Sequence, residues 1–194
     1  MAKLKKALPV AALAGLCGVI FLLRLHTYDE PLERDLTTYA VIAHEMLNGK
    51  NLYSDLWDHK PPAIHVTYAA AEWIAGYGRD SILLMNVVAA MATLVACYFA
   101  GAGGGRGPVA GLVAATLWTV ASGEPSLQGN QPNTEVFLNV LLTTAFAIFV
   151  RAERKRIGFG GAILLGALFT IASFYKQIVI LQAAFLSFCI SSLR

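Results

Sequence analysis

Residues 81–102 read SILLMNVVAAMATLVACYFAGA, and this stretch decides the fold class. It contains no charged residue, and its apolar side chains cover every face of a helix rather than one stripe. At about 1.5 Å per residue such a helix spans about 33 Å, which matches a hydrocarbon core of ~30 Å. Backbone amides cannot stay unpaired in lipid, so the stretch predicts a transmembrane helix.

Five further apolar blocks extend this pattern, so the predicted fold class is all-α, a polytopic transmembrane helix bundle of about six spans in one membrane domain. The blocks are residues 7–25, 108–122, 135–150, 158–175 and 177–193, of which 108–122 is the shortest. The 194-residue chain is 57% hydrophobic and 14% charged, too few polar side chains to cover a soluble domain. Its net charge of +3 forms no basic patch with interleaved aromatics, so no nucleic-acid partner is expected.

The positive charges predict the orientation of the spans. They cluster before the first block, in the second connection and in the fourth connection: Lys3, Lys5, Lys6, Arg106, Arg151, Arg154, Lys155 and Arg156. Alternating crossings place these clusters, Arg194 and both termini in the cytoplasm. The first block is interpreted as an uncleaved span rather than a signal peptide, because no small-residue cleavage site follows it.

Residues 26–80 form the longest connection, which falls on the outer side and holds nine of the twelve acidic residues. Apolar residues recur there at helical spacing in two stripes, Tyr39, Ile42, Ala43, Met46, Leu47 and then Ile64, Tyr68, Ala71, Ile74. Asn48-Gly49 can end the first helix, and the second follows Pro61-Pro62. The pattern predicts two amphipathic helices at the membrane surface.

Asp35, at the start of the first predicted surface helix, is the leading candidate for chemistry. It shares a helix side with Tyr39. An aspartate at this position can serve as the N-cap of the helix, or as a general base at the membrane–water boundary. Both interpretations stay open on position alone.

Lys60 lies in the segment DHKPP of residues 58–62, beside His59. The two prolines fix the backbone and would hold the lysine in a defined direction. An outward lysine can bind a lipid phosphate as a point charge. The alternative is a solvated turn before the next helix.

Glu135 and Lys176 are two further polar residues at the ends of apolar blocks. Glu135 can simply complement the dipole of a helix capped by Thr134, and Lys176 can extend its ammonium to the interface. His44 and His65 are interpreted as surface-helix residues, since no metal-ligand spacing connects them.

The segments ERDLTTYA (33–40), MLNG (46–49) and YSDLWDHKPP (53–62) together resemble the first outer loop of GT-C glycosyltransferases. The likeness is greatest to the protein O-mannosyltransferase and aminoarabinose-transferase group, the family 39-type. NTE at 133–135 and YKQ at 175–177 stand where that group carries polar motifs. The family often has an acid directly after the aspartate, whereas this chain has Leu36, so any role of that second acid is either lost or shifted to Glu33.

The resemblance implies an enzyme that transfers a sugar from a polyprenyl-phosphate donor to an acceptor hydroxyl, with inversion, on the outer face of a bacterial plasma membrane. Asp35 would be the catalytic base and Lys60 the ligand of the donor phosphate. Supporting roles would fall to Glu33, Arg34, Tyr39, His59, Glu135 and Lys176. The acceptor is a glycan, a lipid or a protein, and a divalent metal cofactor is left open.

Two other interpretations accompany this one. The resemblance covers only the N-terminal portion of the usual enzyme, so the chain can also be a truncated or split module that binds lipid or a partner without catalysis. A transporter is disfavoured, because ionisable residues cluster at the outer boundary rather than at mid-membrane.

Overall fold

The computed structural model describes residues 2–152 and 157–192, and this part of the chain folds entirely into helices and turns. The helices are α1 (Ala2–His26), α2 (Arg34–Leu47), α3 (Ala63–Ala75), α4 (Arg79–Ala102), α5 (Pro108–Ser122), α6 (Thr134–Ala152), α7 (Phe159–Ser173) and α8 (Val179–Ser192). Short 3-10 turns at Gly103–Gly105 and Pro125–Leu127 follow α4 and α5. The all-α prediction is confirmed. Some residues that entered the span and orientation predictions lie outside the described residues: Arg154, Lys155, Arg156, Leu193 and Arg194.

Three of the described helical segments are long and apolar enough to cross a membrane: Ala7–His26, Arg79–Gly105 and Thr134–Ala152. The other three apolar helices are shorter, with 15 residues in α5, 15 in α7 and 14 in α8. At about 1.5 Å per residue, 15 residues span about 22 Å, less than the ~30 Å of a typical hydrocarbon core. The structure therefore supports three candidate spans among the six predicted blocks.

Helix α4 is the centre of the bundle, and α1, α3, α5 and α6 all pack against it. One core cluster joins α2, α3, α4 and α6 through buried residues such as Leu36, Tyr68 and Phe137. A second joins α1, α4 and α5 around Ile20, Leu94 and Ala115. The apolar stripes of α2 and α3 therefore lie on the same core as the long helices.

Both helices predicted within residues 26–80 are present. α2 ends at Leu47, before Gly49 with φ +93°, and α3 begins directly after Pro62. Not every residue of the two apolar stripes is buried: Leu47 is 48% exposed and Ile74 is 68% exposed. Both lie in the last turns of their helices, beyond the residues that contact the core.

Candidate functional site

Asp35 lies in the first turn of α2 rather than at its cap. The N-cap position belongs to Glu33, and its side chain makes no capping hydrogen bond. The N-cap interpretation of Asp35 is therefore wrong, because the helix begins one residue before it. The Asp35 carboxylate is 35% exposed and lies 3.4 Å from the guanidinium of Arg34, which is itself 92% exposed. Asp35 thus remains accessible from solvent.

Tyr39 lies one turn further along α2 and is 1% exposed. Its hydroxyl donates a hydrogen bond to Oδ1 of Asn133, 3.3 Å away, just before α6. Burial raises the pKa of this phenol, and the negative charges of Asp35, Asp58 and Glu135 raise it further. Three carboxylates from three separate segments therefore act electrostatically on one buried hydroxyl.

Glu135 and Lys176 form an ion pair that joins the start of α6 to the turn between α7 and α8. The second carboxylate oxygen of Glu135 accepts a hydrogen bond from Oγ1 of Thr134, 2.8 Å away. The backbone N–H of Thr134 donates to Asn133 Oδ1 at 2.8 Å. Lys176 does not simply extend toward the interface, as its position in an outer turn allowed, because a specific carboxylate receives its ammonium.

Lys60 lies in a groove of about 450 Å³ formed with Pro62, Phe174 and Gln177 among others. The turn is fixed by Tyr53, whose hydroxyl donates to the carbonyl of Lys60 at 2.7 Å. The backbone N–H of Ala63 donates to the carbonyl of Phe174 at 3.1 Å, which brings the Lys60 turn against the α7–α8 turn. Within residues 2–152 and 157–192, the Lys60 ammonium has neither a hydrogen-bond partner nor an ion pair.

Asp58 organises the segment before Lys60. Its Oδ1 accepts the backbone N–H of His59 at 2.7 Å and lies 3.1 Å from the His59 ring, which is 70% exposed. Its Oδ2 lies 3.2 Å from Nε2 of His65, whose side chain is fully buried. Burial lowers the pKa of His65, and the nearby Asp58 carboxylate opposes this shift. His65 lies in α3, the second predicted surface helix, where its side chain is buried beside Ile64 on the core side of the helix.

Glu33 connects α2 to the loop that precedes α6. Its carboxylate accepts a hydrogen bond from the side-chain amide of Gln128, and its backbone N–H donates to Oε1 of Gln131 at 3.3 Å. Gln131 also donates to the carbonyl of Pro31 at 3.3 Å. Glu33 thus anchors the start of α2 to the loop before α6. The periodicity of the sequence could not reveal the two glutamine partners, because they lie in a distant segment.

The predicted residues therefore fall into connected groups at one end of the bundle. Asp35, Tyr39 and Glu135 surround the Asn133 contact, and Lys176 is joined to them through Glu135. Lys60 and His59 are tied to this group through Asp58, whose charge acts on Tyr39. The guanidinium of Arg34 pairs with Asp35. In the described part of the chain, no group of three or more His, Cys, Asp or Glu side chains is arranged to hold a metal ion.

Arg24 is the residue that sequence reasoning passed over. It is 3% exposed near the end of α1, where it donates from Nε to Asn86 Oδ1 at 3.3 Å and from Nη1 to the carbonyl of Ser122 at 2.9 Å. The signal was a single charge at the end of an apolar block. Such a charge commonly extends to the interface, so its burial was not expected.

The chain matches no protein-family model and shows no significant similarity to a curated protein or to a solved structure. Three of its described helices are long and apolar enough to cross a membrane. A water-accessible polar cluster lies at one end of this helical bundle. Its components suit a proton transfer at Asp35 and the binding of an anion at Lys60.

Proposed function

We propose that this chain acts in sugar transfer from a polyprenyl-phosphate donor to an acceptor hydroxyl on the outer face of a bacterial plasma membrane, as the GT-C resemblance implies. The observation that carries the proposal is that Asp35 and Glu135 both act on the buried hydroxyl of Tyr39, which also contacts Asn133 next to Glu135. The adjacent turn holds Lys60, whose ammonium has no partner among the described residues. These residues come from distant segments, and packing alone does not require carboxylates to collect there. Buried or clustered charges of this kind are typical of functional sites.

In the proposed reaction, Asp35 acts on the acceptor and Lys60 acts on the donor phosphate. Asp35 takes the proton from the acceptor hydroxyl while the oxygen of that hydroxyl attacks the anomeric carbon of the sugar. The bond from that carbon to the phosphate oxygen breaks, the phosphate leaves with the electron pair, and the configuration at the carbon inverts. The Lys60 ammonium stabilises the charge on the departing phosphate.

The remaining residues shape this site. Glu135 and Lys176 hold the starts of α6 and α8 together through their ion pair. Glu33 fixes the first turn of α2, which carries Asp35. Tyr39 stays protonated, because burial and three carboxylates raise its pKa, and so it can donate hydrogen bonds but is not itself the base.

The proposal extends to the membrane arrangement, with all six apolar helices crossing and the Asp35 end facing outward. α5, α7 and α8 would cross where the bilayer is locally thinner, which costs fractions of a kcal/mol per Å of mismatch. Single cysteines at Lys60 and Arg106, labelled from one side of intact cells, test this arrangement. Reaction of both with the same impermeant reagent would contradict it.

Transfer of radiolabelled sugar from a polyprenyl-phosphate donor, with membranes that contain the chain, tests the function. Asp35→Asn should lower transfer by about 100-fold or more, since a positioned base contributes 10²–10⁴. Asp29→Asn is the matched control, because Asp29 is an exposed acid in the same connection, outside the cluster. If the wild-type chain neither transfers sugar nor hydrolyses the donor, the non-catalytic module that binds lipid or a partner becomes the better interpretation.

A further inference from the structure

The charge of Arg24 has no negative partner in the described structure. Its hydrogen-bond acceptors are the amide oxygen of Asn86 and the backbone carbonyl of Ser122, both of which are neutral. Within residues 2–152 and 157–192, no carboxylate forms an ion pair with this guanidinium. A cation that is 3% exposed and uncompensated is costly to bury, and charges kept within a membrane bundle usually serve a function.

Arg24 lines a cavity of about 360 Å³ beneath the loop that precedes α6. Its Nη2 nitrogen makes no hydrogen bond to any described residue. Gly129 leaves room for the guanidinium, because a Cβ there would lie 3.1 Å from Nη2 and 2.3 Å from the carbonyl oxygen of Ser122. The charged edge of Arg24 thus retains unused donors beside an open space.

The rest of the cavity lining is amphipathic. Ala90, Trp118 and Val136 supply an apolar wall from α4, α5 and α6. Asn139 lines the same space from α6, and its amide makes no hydrogen bond within the described part of the chain. An unused amide thus faces the same cavity as an unused guanidinium edge, next to an apolar surface.

The other charge at this cavity is already neutralised. Glu135 is the carboxylate that lines it, and its oxygens are engaged by Lys176 and Thr134. The space beside Arg24 therefore has an excess of positive charge. A ligand with one negative group and an apolar part complements it.

We propose that this cavity is an oxyanion-binding site for a phosphate ester, with the phosphate on Nη2 of Arg24 and the amide of Asn139. The apolar part of the ligand lies along Ala90, Trp118 and Val136. The Nη2 nitrogen carries two N–H donors, and a hydrogen bond between a guanidinium and a phosphate oxygen is charge-assisted and therefore strong. The phosphate can come from a lipid headgroup or from a free phosphate compound, and the site is separate from the Lys60 groove. It goes beyond sugar transfer and does not depend on it.

Thermal unfolding of the purified full chain in detergent tests this site. The additions are inorganic phosphate, dioctanoyl phosphatidic acid and, as the uncharged-headgroup control, dioctanoyl phosphatidylcholine. We expect the Tm to rise by about 3 °C or more with phosphate, with phosphatidic acid, or with both, since a ligand that binds the native state stabilises it. A rise with phosphate alone identifies a soluble ester as the source, whereas a rise that needs phosphatidic acid identifies a lipid headgroup.

Two variants decide whether the effect belongs to Arg24. Asn86→Asp places a carboxylate against the guanidinium and should abolish the rise, while Asn48→Asp adds the same charge at the exposed end of α2 and should keep it. Asn139→Leu removes the second donor without touching Arg24, and it should weaken the rise even if Asn86→Asp fails to fold. The proposal is overturned if neither phosphate nor phosphatidic acid raises the Tm, if phosphatidylcholine acts equally, or if Asn139→Leu responds as the wild type does.

Discussion

The two ends of the helical bundle are built differently. At one end, Glu135 forms an ion pair with Lys176, Tyr39 donates a hydrogen bond to Asn133, and the charges of Asp35 and Glu135 act on Tyr39. At the other end, the glycine turn Gly103–Gly105 borders an apolar cavity of about 690 Å³, larger than the Lys60 groove of about 450 Å³. The comparison teaches that cavity size and charge do not coincide in this molecule. The larger cavity is mainly apolar, whereas charged groups from distant segments meet at the other end.

The glycine-rich end depends on close backbone approach. A Cβ at Gly101 would lie 2.7 Å from the carbonyl oxygen of Ala110, and one at Gly111 would lie 2.7 Å from that of Tyr98. α4 and α5 therefore touch backbone to backbone there. Substitutions at the glycine-rich end should lower the free energy of unfolding. Under the proposed function, substitutions at the polar end should change the rate of sugar transfer or the KM for the donor.

After Asp35→Asn, the largest effect is expected at the two lysines of the polar end, Lys60 and Lys176. Lys60→Met should raise the KM for the polyprenyl-phosphate donor by about 10- to 100-fold, because a hydrogen bond to a charged group contributes about 1.5–3 kcal/mol. Its Tm should stay near that of the wild type, because the Lys60 ammonium has no partner among the described residues. Lys176→Met should lower both transfer and Tm, since it breaks the pair with Glu135. Loss of stability without a change in KM for Lys60→Met would contradict the assignment.

Gly111→Ala sharpens the comparison from the other end. The added methyl group meets Tyr98 on both its backbone and its ring, so we expect a loss of about 1–3 kcal/mol in the free energy of unfolding. Gly166→Ala in α7 is the matched control, because a Cβ there meets nothing within 4 Å, and a gain of up to ~1 kcal/mol is expected. Denaturant unfolding in detergent measures both. The KM for the polyprenyl-phosphate donor should be unchanged in both variants. A large rise in this KM for Gly111→Ala would show that the glycine-rich end also affects donor binding.

The pH dependence of stability tests the buried pair of Asp58 and His65. Burial lowers the pKa of His65, so the folded state binds its proton more weakly than the unfolded state, whose pKa is about 6.5. Stability from this group is present at neutral pH and is lost as the pH falls through about 6.5 toward the lower folded pKa. His65→Gln should show a shallower decline between about pH 7 and 5, whereas His59→Gln, at an exposed position, should keep the wild-type decline. An unchanged slope in His65→Gln would contradict the role of burial.

Arg34→Gln should have the smallest effect. Arg34 is 92% exposed, and its pair with Asp35 is open to solvent, where such pairs contribute about 0–1 kcal/mol. We expect less than a two-fold change in transfer, measured beside Asp35→Asn in the same membranes. A loss as large as that of Asp35→Asn would instead place Arg34 in contact with the substrate.

Local patterns determined much of the fold. The long uncharged stretch at residues 81–102 became α4, and the apolar stripes with their Asn48-Gly49 and Pro61-Pro62 boundaries became α2 and α3. These features depend on neighbours three or four residues apart, which a sequence displays directly. The same patterns placed Asp35 in the first turn of one surface helix and Lys60 just before the other, although not the identity of the N-cap residue.

Tertiary packing decided which of these residues meet. Tyr39 reaches Asn133, Lys176 reaches Glu135, and Arg24 reaches Asn86, across 94, 41 and 62 positions of the chain. No local periodicity encodes such pairs, because they form only when separate helices pack and buried polar groups must find partners. By itself the sequence determined the helices and the charges they carry. Only the packing of those helices decided that the carboxylates act on Tyr39, that His65 is buried, and that Arg24 faces a cavity without a counter-charge.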